Sequence, residues 1–144
     1  MLALFIAIQF IRPAYNKGNE LLSTDFIKMF SVPDSVQYIL KRACFDCHSN
    51  HTDYPWYSNI QPIGLLMANH IKTGKQVLNF SEFGSYKYRK QLSKLTGIVN
   101  SIKDGSMPLS SFEMMHHEAM LTDAEKTFLI NWTNKLADSL SVSN

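Results

Sequence analysis

The residues with the most definite chemistry stand in one short segment, Cys44-Phe45-Asp46-Cys47-His48. On a helix, two thiols three residues apart and an imidazole beside the second thiol lie on the same side. One edge of a porphyrin could receive a thioether bond from each thiol while the imidazole reached the iron. C-x-x-C-H is the attachment signature of c-type haem. We therefore predict one covalently bound haem c, with His48 as an axial ligand of the iron.

The second axial ligand must come from another part of the chain, and Met107 is the best candidate. It stands in the sequence Gly105-Ser106-Met107-Pro108, where the glycine permits close approach and the proline stiffens the loop. A thioether favours Fe(II) and raises the reduction potential. A methionine more often only fills a gap in a core, but in a chain with C-x-x-C-H we predict ligation. The other candidate ligands are Met67, His70, Met114, Met115, His116, His117 and Met120.

Two aromatic residues that follow Pro55 are candidates for the surroundings of the haem. Trp56 and Tyr57 could pack in the core against the haem, or bond a haem propionate through their N–H and O–H groups. Packing is the commoner role. The ring nitrogen of His48 that does not bind iron should donate to a fixed acceptor, as in other metal-bound histidines. We expect a carbonyl of residues 54–62 to be that acceptor.

Length and composition describe one globular domain. The chain has 144 residues, of which 45% are hydrophobic and 18% are charged. A net charge of +2, without a basic run, gives no argument for nucleic-acid binding. Two cysteines are too few for a secreted disulfide scaffold, and their close spacing indicates a local chemical site.

The first part of the chain differs in character from the rest. Residues 1–12 are almost wholly apolar. This run is shorter than the roughly 20 residues that cross a bilayer, but it has the length of the apolar part of a signal peptide. We interpret it as a membrane anchor or export signal whose upstream part is missing, with a buried core helix as the alternative. Arg12 and Lys17 follow the run and, by the positive-inside rule, argue weakly against export. Residues 13–32 are polar and are interpreted as a tether.

Helical periodicity accounts for much of the remaining chain. Gly74 and Gly105 are predicted helix stops, and Thr122 with Glu125 makes a capping box at the start of the last helix. No segment shows the alternation of a strand. The predicted helices are Pro33 to the cysteines, Pro62–Thr73, Tyr86–Asp104 and a last helix that begins at Thr122 and includes Leu136.

These elements predict an all-α fold in which residues 33–140 form the haem-binding domain. Long loops remain over residues 49–60, 75–85 and 105–121. Long loops in a small helical domain indicate that something other than helix packing organises the core. We expect a small, cytochrome c-like helical domain wrapped around one haem.

Several motifs in a fixed order carry a family resemblance. They are C-x-x-C-H-S-N at Cys44–Asn50, P-W-Y-S at Pro55–Ser58, L-N-F-S at Leu78–Ser81, M-P at Met107-Pro108 and a closing helix with a tryptophan at Thr122–Trp132. Over residues 33–136 the chain resembles the haem-binding domain family of bacterial c-type cytochromes. The resemblance implies a single haem with His48 proximal and Met107 distal, and attachment of that haem outside the cytoplasm. Leu109 stands where the family often has a second proline.

The leading function is outer-sphere electron transfer by a monohaem cytochrome, not enzyme catalysis. The expected partner is a redox protein or respiratory complex on the periplasmic side, with membrane association through the N-terminal segment and no nucleic acid. A haem sensor or peroxidase-like enzyme with an open iron position is the first alternative, and His116 and His117 could then serve as distal acid or base. A Cys/His zinc-binding module and a thioredoxin-like dithiol are lesser alternatives.

Overall fold

The computed structural model describes residues 2–18 and 22–142 of the chain. Within these ranges the elements are helical, and the one strand-like feature is an isolated antiparallel bridge between Lys17 and His51. The predicted all-α fold is confirmed. The α-helices are α1 (Leu2–Ile8), α2 (Phe26–Met29), α3 (Asp34–Ala43), α4 (Phe45–His48), α5 (Ile63–Val77), α6 (Tyr88–Lys103), α7 (Ser110–Glu113) and α8 (Asp123–Val142). Short 3-10 helices cover Trp56–Asn59, Phe80–Ser85 and His117–Ala119.

Helix α3 leads the chain into the C-x-x-C-H segment. Its apolar positions Val36, Ile39 and Leu40 recur three and four apart, and all three are buried. The helix ends where the backbone departs from helical angles at Cys44, with φ −130° and ψ −44°. The chain then turns into the four-residue helix α4, which ends at His48. Cys44 therefore stands at the break, as the N-cap of the short helix that contains Cys47 and His48, and the two cysteines do not lie along one continuous helix.

The core is centred on Phe26, in a segment that we expected to be a tether. Its ring is 1% exposed and meets the rings of Phe30, Phe80, Phe83 and Trp132 edge-on, at centroid distances of 4.9 to 6.0 Å. Such aromatic pairs stabilise a core beyond the area that they bury. The tether interpretation is therefore wrong for residues 22–32, and residues 19–21 lie outside the described residues.

Residues 16–18 are also part of the fold. The Thr52 N–H donates to the Asn16 carbonyl over 2.9 Å, and the Gly18 N–H donates to the Asn50 carbonyl over 2.7 Å. The Asn16 side chain donates to the Ser49 carbonyl over 2.9 Å. This stretch thus pairs along the loop that follows His48 and holds it in place.

Helix α5 does not stop at Gly74 but continues to Val77. A Cβ atom at Gly74 would lie 2.6 Å from the carbonyl oxygen of Cys47, closer than atoms can approach. The glycine is therefore required by the contact between α5 and α4, and it was wrongly interpreted as a helix stop. The expected loop after it is also largely helical, since Phe80 and Phe83 of the following 3-10 helix are buried in the core.

The last two long helices, α6 and α8, pack against each other. Gly105 follows α6 with a φ of +72°, the left-handed conformation that favours glycine after a helix. At the start of α8 the Thr122 N–H donates to the Glu125 carboxylate over 2.9 Å, and the Glu125 N–H donates to the Thr122 hydroxyl over 3.2 Å. The capping box is confirmed.

Replacing Glu125 by glutamine keeps an acceptor for Thr122 but removes the charge beside Arg42 and the helix N-terminus, so it should lower the free energy of unfolding by roughly 0.5 kcal/mol at pH 7. Hydrogen bonds from Thr122 and the nearby Arg42 guanidinium hold the pKa of Glu125 below its ordinary value of 4.5. A carboxyl whose folded pKa is depressed stabilises the fold above its unfolded pKa and loses that contribution as the pH falls through the folded value.

Urea unfolding at pH 7 and pH 3 measures this difference. The gap between the wild-type chain and Glu125→Gln should shrink at pH 3, while Asp138→Asn, at an exposed site on the same helix, should leave stability unchanged. A gap of the same size at both pH values would contradict the assignment.

The apolar N-terminal segment forms the short helix α1, none of whose residues is buried. Its exposure contradicts the alternative of a buried core helix. Within the described ranges, no helix has the length and apolar character needed to span a membrane.

Candidate haem-binding cleft

Two adjoining cavities, of about 410 and 290 Å³, lie beside the C-x-x-C-H segment. Helix α6 and the end of α5 wall the larger cavity, and α5 from Asn69 to Val77 walls the smaller one. Both volumes are in the range of ligand pockets or close to it. Cys44, His48 and Met107 line both cavities, and Cys47 lines the smaller one. The structure therefore brings together the four residues that the sequence singled out as attachment sites and iron ligands. The residues common to the two cavities are Ala43, Cys44, His48, Val77, Met107 and Pro108.

The ring of His48 is oriented by the backbone. Its Nδ1 lies 3.0 Å from the Leu78 carbonyl oxygen. Because a carbonyl can only accept, Nδ1 carries the proton and Nε2 has the lone pair available for a metal. The expectation of an acceptor in residues 54–62 is wrong, since the acceptor follows α5. The L-N-F-S motif thus begins with the residue that orients this histidine.

Burial also favours the neutral form of His48. It lowers the pKa of the imidazole, while the Leu78 and Gly74 carbonyls act in the opposite direction. A neutral imidazole is the form that ligates a metal. The histidine is therefore held at neutral pH in the tautomer and charge state that a haem iron requires.

Both cysteines are free thiols in partly buried positions. Burial, and then the proximity of Cys47, raises the pKa of Cys44 to about 12. Burial, and then the charge of Asp46, raises the pKa of Cys47 to about 11. Reactive dithiols have the opposite property, a lowered pKa that makes the thiolate. The environment therefore disfavours a thioredoxin-like role.

Met107 is carried by a short loop that is fixed to the end of α6. Its N–H donates to the Ser101 carbonyl over 3.1 Å, and the Ser106 N–H donates to the Asp104 carboxylate over 2.9 Å. The left-handed Gly105 allows the chain to turn back over the cleft. Met107 is 36% exposed, so its side chain lines the cleft without being enclosed by the core.

A polar network fixes the loop that follows His48. The Asp46 carbonyl accepts from the Thr52 hydroxyl over 2.5 Å, and the Asp46 carboxylate accepts from the Asp53 N–H over 3.0 Å. The amide of Asn79 donates to the Asn50 side chain over 2.9 Å, which joins this loop to the 3-10 helix after α5. Thr52 and Asn79 are 2% and 4% exposed. Sequence reasoning missed these positioning residues, although the S-N and L-N-F-S motifs contain two of them.

Trp56 and Tyr57 line neither cavity. Trp56 is 77% exposed, so the expectation that it packs in the core is wrong. The Tyr57 hydroxyl donates to His116 Nε2 over 2.6 Å, and His116 Nδ1 lies 3.1 Å from Glu118. The imidazole also stacks on Phe112, which itself lines the smaller cavity. Tyr57 thus ties the loop after His48 to the segment that follows Met107.

The remaining candidate ligands are distributed unevenly. His70 lines the smaller cavity beside Cys47 and His48. The others are absent from the lining of both cavities: Met67, Met114, Met115, His116, His117 and Met120. The sequence did not predict that one face of α6 forms a wall of the larger cavity. The residues of this face are Ser93, Lys94, Gly97, Ile98, Ser101 and Ile102.

A comparison with protein-family models identifies the chain. The model described as "Haem-binding domain" matches residues 3–135. The chain belongs to the haem-binding domain family. The match extends the resemblance seen over residues 33–136 toward the N-terminus. No curated protein and no solved structure matches the chain significantly.

The cleft of this haem-binding domain has the features that a haem requires. It joins a neutral, oriented imidazole and two thiols to walls that are mainly apolar. The backbone of α6 also leaves room, because a Cβ atom at Gly97 would meet nothing within 4 Å. In the part of the chain that the structure describes, no three His, Cys, Asp or Glu side chains form a set that could hold a metal ion by themselves.

Replacing Gly97 by leucine should lower the haem content of the domain to roughly a tenth or less, because the new side chain occupies the cleft. The helix itself should not suffer, since leucine is a better helix former than glycine. The ratio of haem absorbance to protein, with circular dichroism as a check of folding, measures the effect. Asn100→Leu, at an exposed position of the same helix, should keep its haem. Normal haem content in Gly97→Leu would place the haem elsewhere.

Proposed function

We propose that this domain is a monohaem c-type cytochrome, with one haem bonded to Cys44 and Cys47 and ligated by His48 and Met107. The observation that supports it most is that Cys44, His48 and Met107 line the same two adjoining cavities, although Met107 is far from the others in sequence. Haem bound there would supply one-electron redox chemistry.

The residues of the chain supply the setting for that chemistry. Leu78 fixes the ring of His48, and Ile98 and Ile102 of α6 give the cleft an apolar wall. Lys94 lines the larger cavity, and among the described residues it has no ion-pair partner. Its ammonium is suited to pair with a haem carboxylate.

Electron transfer is the activity that this setting favours. With His48 and Met107 as axial ligands, no iron position would remain open for a substrate. His116 is already engaged by Tyr57 and Glu118 and lies outside the lining of the cleft, so it is poorly placed as a distal acid or base. Met107 is partly exposed, which leaves a side of the cleft that a redox partner protein or respiratory complex could approach.

The proposed location is the periplasmic face of a membrane. It rests on the thioether attachment, which the family resemblance places outside the cytoplasm, and on the apolar N-terminal segment. The alternatives need other features: a sensor or peroxidase needs an open iron position, and a zinc module needs further ligands near Cys44 and Cys47.

Absorption spectra of the protein, made together with the haem-attachment machinery, test the proposal. We expect a c-type spectrum in the oxidised and dithionite-reduced forms, and no change when carbon monoxide is added to the reduced form. A ready shift with carbon monoxide would mean an open iron position and favour sensing or catalysis. A protein that folds without any haem would overturn the proposal and favour the zinc-binding hypothesis, whereas haem that is lost on denaturation would overturn only the covalent attachment.

A further inference from the structure

The end of the domain that carries Trp56 exposes a group of large apolar side chains. They belong to the 3-10 helix Trp56–Asn59, to Ile60 and to the first turn of α5. Trp56 is 77% exposed and Leu66 is 54% exposed. A contiguous exposed patch of this kind marks an interaction surface. We call these residues the apolar face: Trp56, Ile60, Ile63, Leu65 and Leu66.

The apolar N-terminal segment is held against this same face. The Gln9 side-chain amide donates to the Gln61 carbonyl over 3.1 Å and accepts from the Gln61 N–H over 2.9 Å. The Gln61 amide also donates to the Ile11 carbonyl over 3.0 Å. The Arg12 guanidinium donates to the Asn59 carbonyl over 2.7 Å. Phe10, which is 82% exposed, is therefore next to the apolar face and extends it.

A basic side chain is bonded at the apolar face: the Arg12 guanidinium donates to the last residue of the 3-10 helix Trp56–Asn59. Residues 2–18 and 56–66, which form this end of the domain, contain no Asp or Glu. Their basic residues are Arg12 and Lys17. A surface that combines exposed Trp and aliphatic side chains with basic residues suits an anionic bilayer, because Trp prefers the membrane interface and cations attract the headgroups.

We propose that the apolar face and the N-terminal segment together dock the domain onto an anionic lipid surface. This contact does not depend on the haem, and it goes beyond an N-terminal anchor because it fixes which end of the domain meets the bilayer. Helix α5 begins at the apolar face with Ile63, lines the smaller cavity from Asn69 onward and reaches the larger cavity with Val77, 14 residues after Ile63. At 1.5 Å per residue its two ends are roughly 20 Å apart. The larger cavity therefore lies farther from the bilayer than the apolar face and stays open to a partner in the aqueous phase.

Photolabelling from within the bilayer tests this orientation. The full, haem-loaded chain is mixed with phosphatidylglycerol vesicles that contain a lipid with a diazirine in its acyl chain, and the labelled peptides are identified by mass spectrometry. We expect label in residues 2–11 and in residues 56–66, and none in residues 110–120, although Met114 is also 69% exposed.

A matched pair of variants isolates the contribution of the apolar face. The triple variant Trp56→Ser, Ile63→Ser, Leu66→Ser should lose most of the label in residues 56–66, by about fivefold or more, while residues 2–11 stay labelled. The control Met114→Ser, Met115→Ser, Met120→Ser should retain the wild-type pattern. Label confined to residues 2–11 in the wild-type chain would overturn the proposal. So would self-association through the apolar face without vesicle binding, measured by sedimentation.

Discussion

Replacing both Cys44 and Cys47 by serine is expected to abolish covalent haem attachment completely. The two thiols stand beside His48 in the wall of the cleft, and they are the only cysteines of the chain. Serine is nearly the same size, so the short helix α4 should still form. The mass of the denatured polypeptide measures the outcome: the wild-type chain should carry the added mass of one haem, and the double variant none.

The single variants sharpen this test. Cys44→Ser and Cys47→Ser should each retain haem through the remaining thiol, with a lower yield of loaded protein. Their circular dichroism should match that of the wild-type chain, which separates lost attachment from lost folding. A double variant that still carries haem mass after denaturation would show that the attachment lies elsewhere. A wild-type chain without added mass would mean that the domain binds haem without a covalent bond.

The local features of the site were predictable because their signals are local. C-x-x-C-H by itself gives the proposed attachment positions, and the Thr122–Glu125 capping box marks the start of α8 through bonds within three residues of sequence. Gly105 was assigned correctly because a left-handed residue after a helix is also a local requirement. The motif, the capping box and the glycine can each be recognised without knowing which distant segments pack against them.

The features that were missed depend on contacts between distant segments. Phe26 begins a short apolar stretch with Met29 and Phe30, but helical spacing over little more than one turn is a weak signal and does not show that Phe26 is the centre of the core. Gly74 looks like any helix stop until the Cys47 carbonyl is placed against it. The partner of His48 is a backbone carbonyl, and every residue has one, so the sequence could not single out Leu78.

The exposure of Trp56 was also not predictable from the sequence. A tryptophan beside a proline in a short aromatic segment was expected inside the domain, because large aromatic rings gain most from burial. Its ring lies at the surface, whereas the adjacent Tyr57 is half-buried and bonds His116. His116 is distant in sequence, so the sequence alone could not show which of the two aromatic side chains packs against the domain.

Replacing Met107 by alanine is expected to open the sixth position of the iron while leaving the fold intact. A thioether stabilises Fe(II), so its removal should lower the reduction potential by on the order of 0.1 V or more. The weak red band of a thioether-ligated oxidised haem should vanish, and carbon monoxide should bind the reduced form. Because Met107 is 36% exposed and sits in a loop, truncation should cost less than about 1 kcal/mol of unfolding free energy.

The structure provides a control variant for Met107→Ala and a second candidate ligand in case Met107 does not bind the iron. Met114 is 69% exposed and lines neither cavity, so Met114→Ala should change neither the potential nor the response to carbon monoxide. If Met107→Ala also leaves both unchanged, Met107 is not the ligand. His70 is then the next candidate, since it lines the smaller cavity beside His48, and its replacement should open the iron position instead.

The reduction potential of the wild-type chain separates the two assignments before any variant is made. An iron with two histidine ligands would have a lower reduction potential than an iron with one histidine and one methionine ligand.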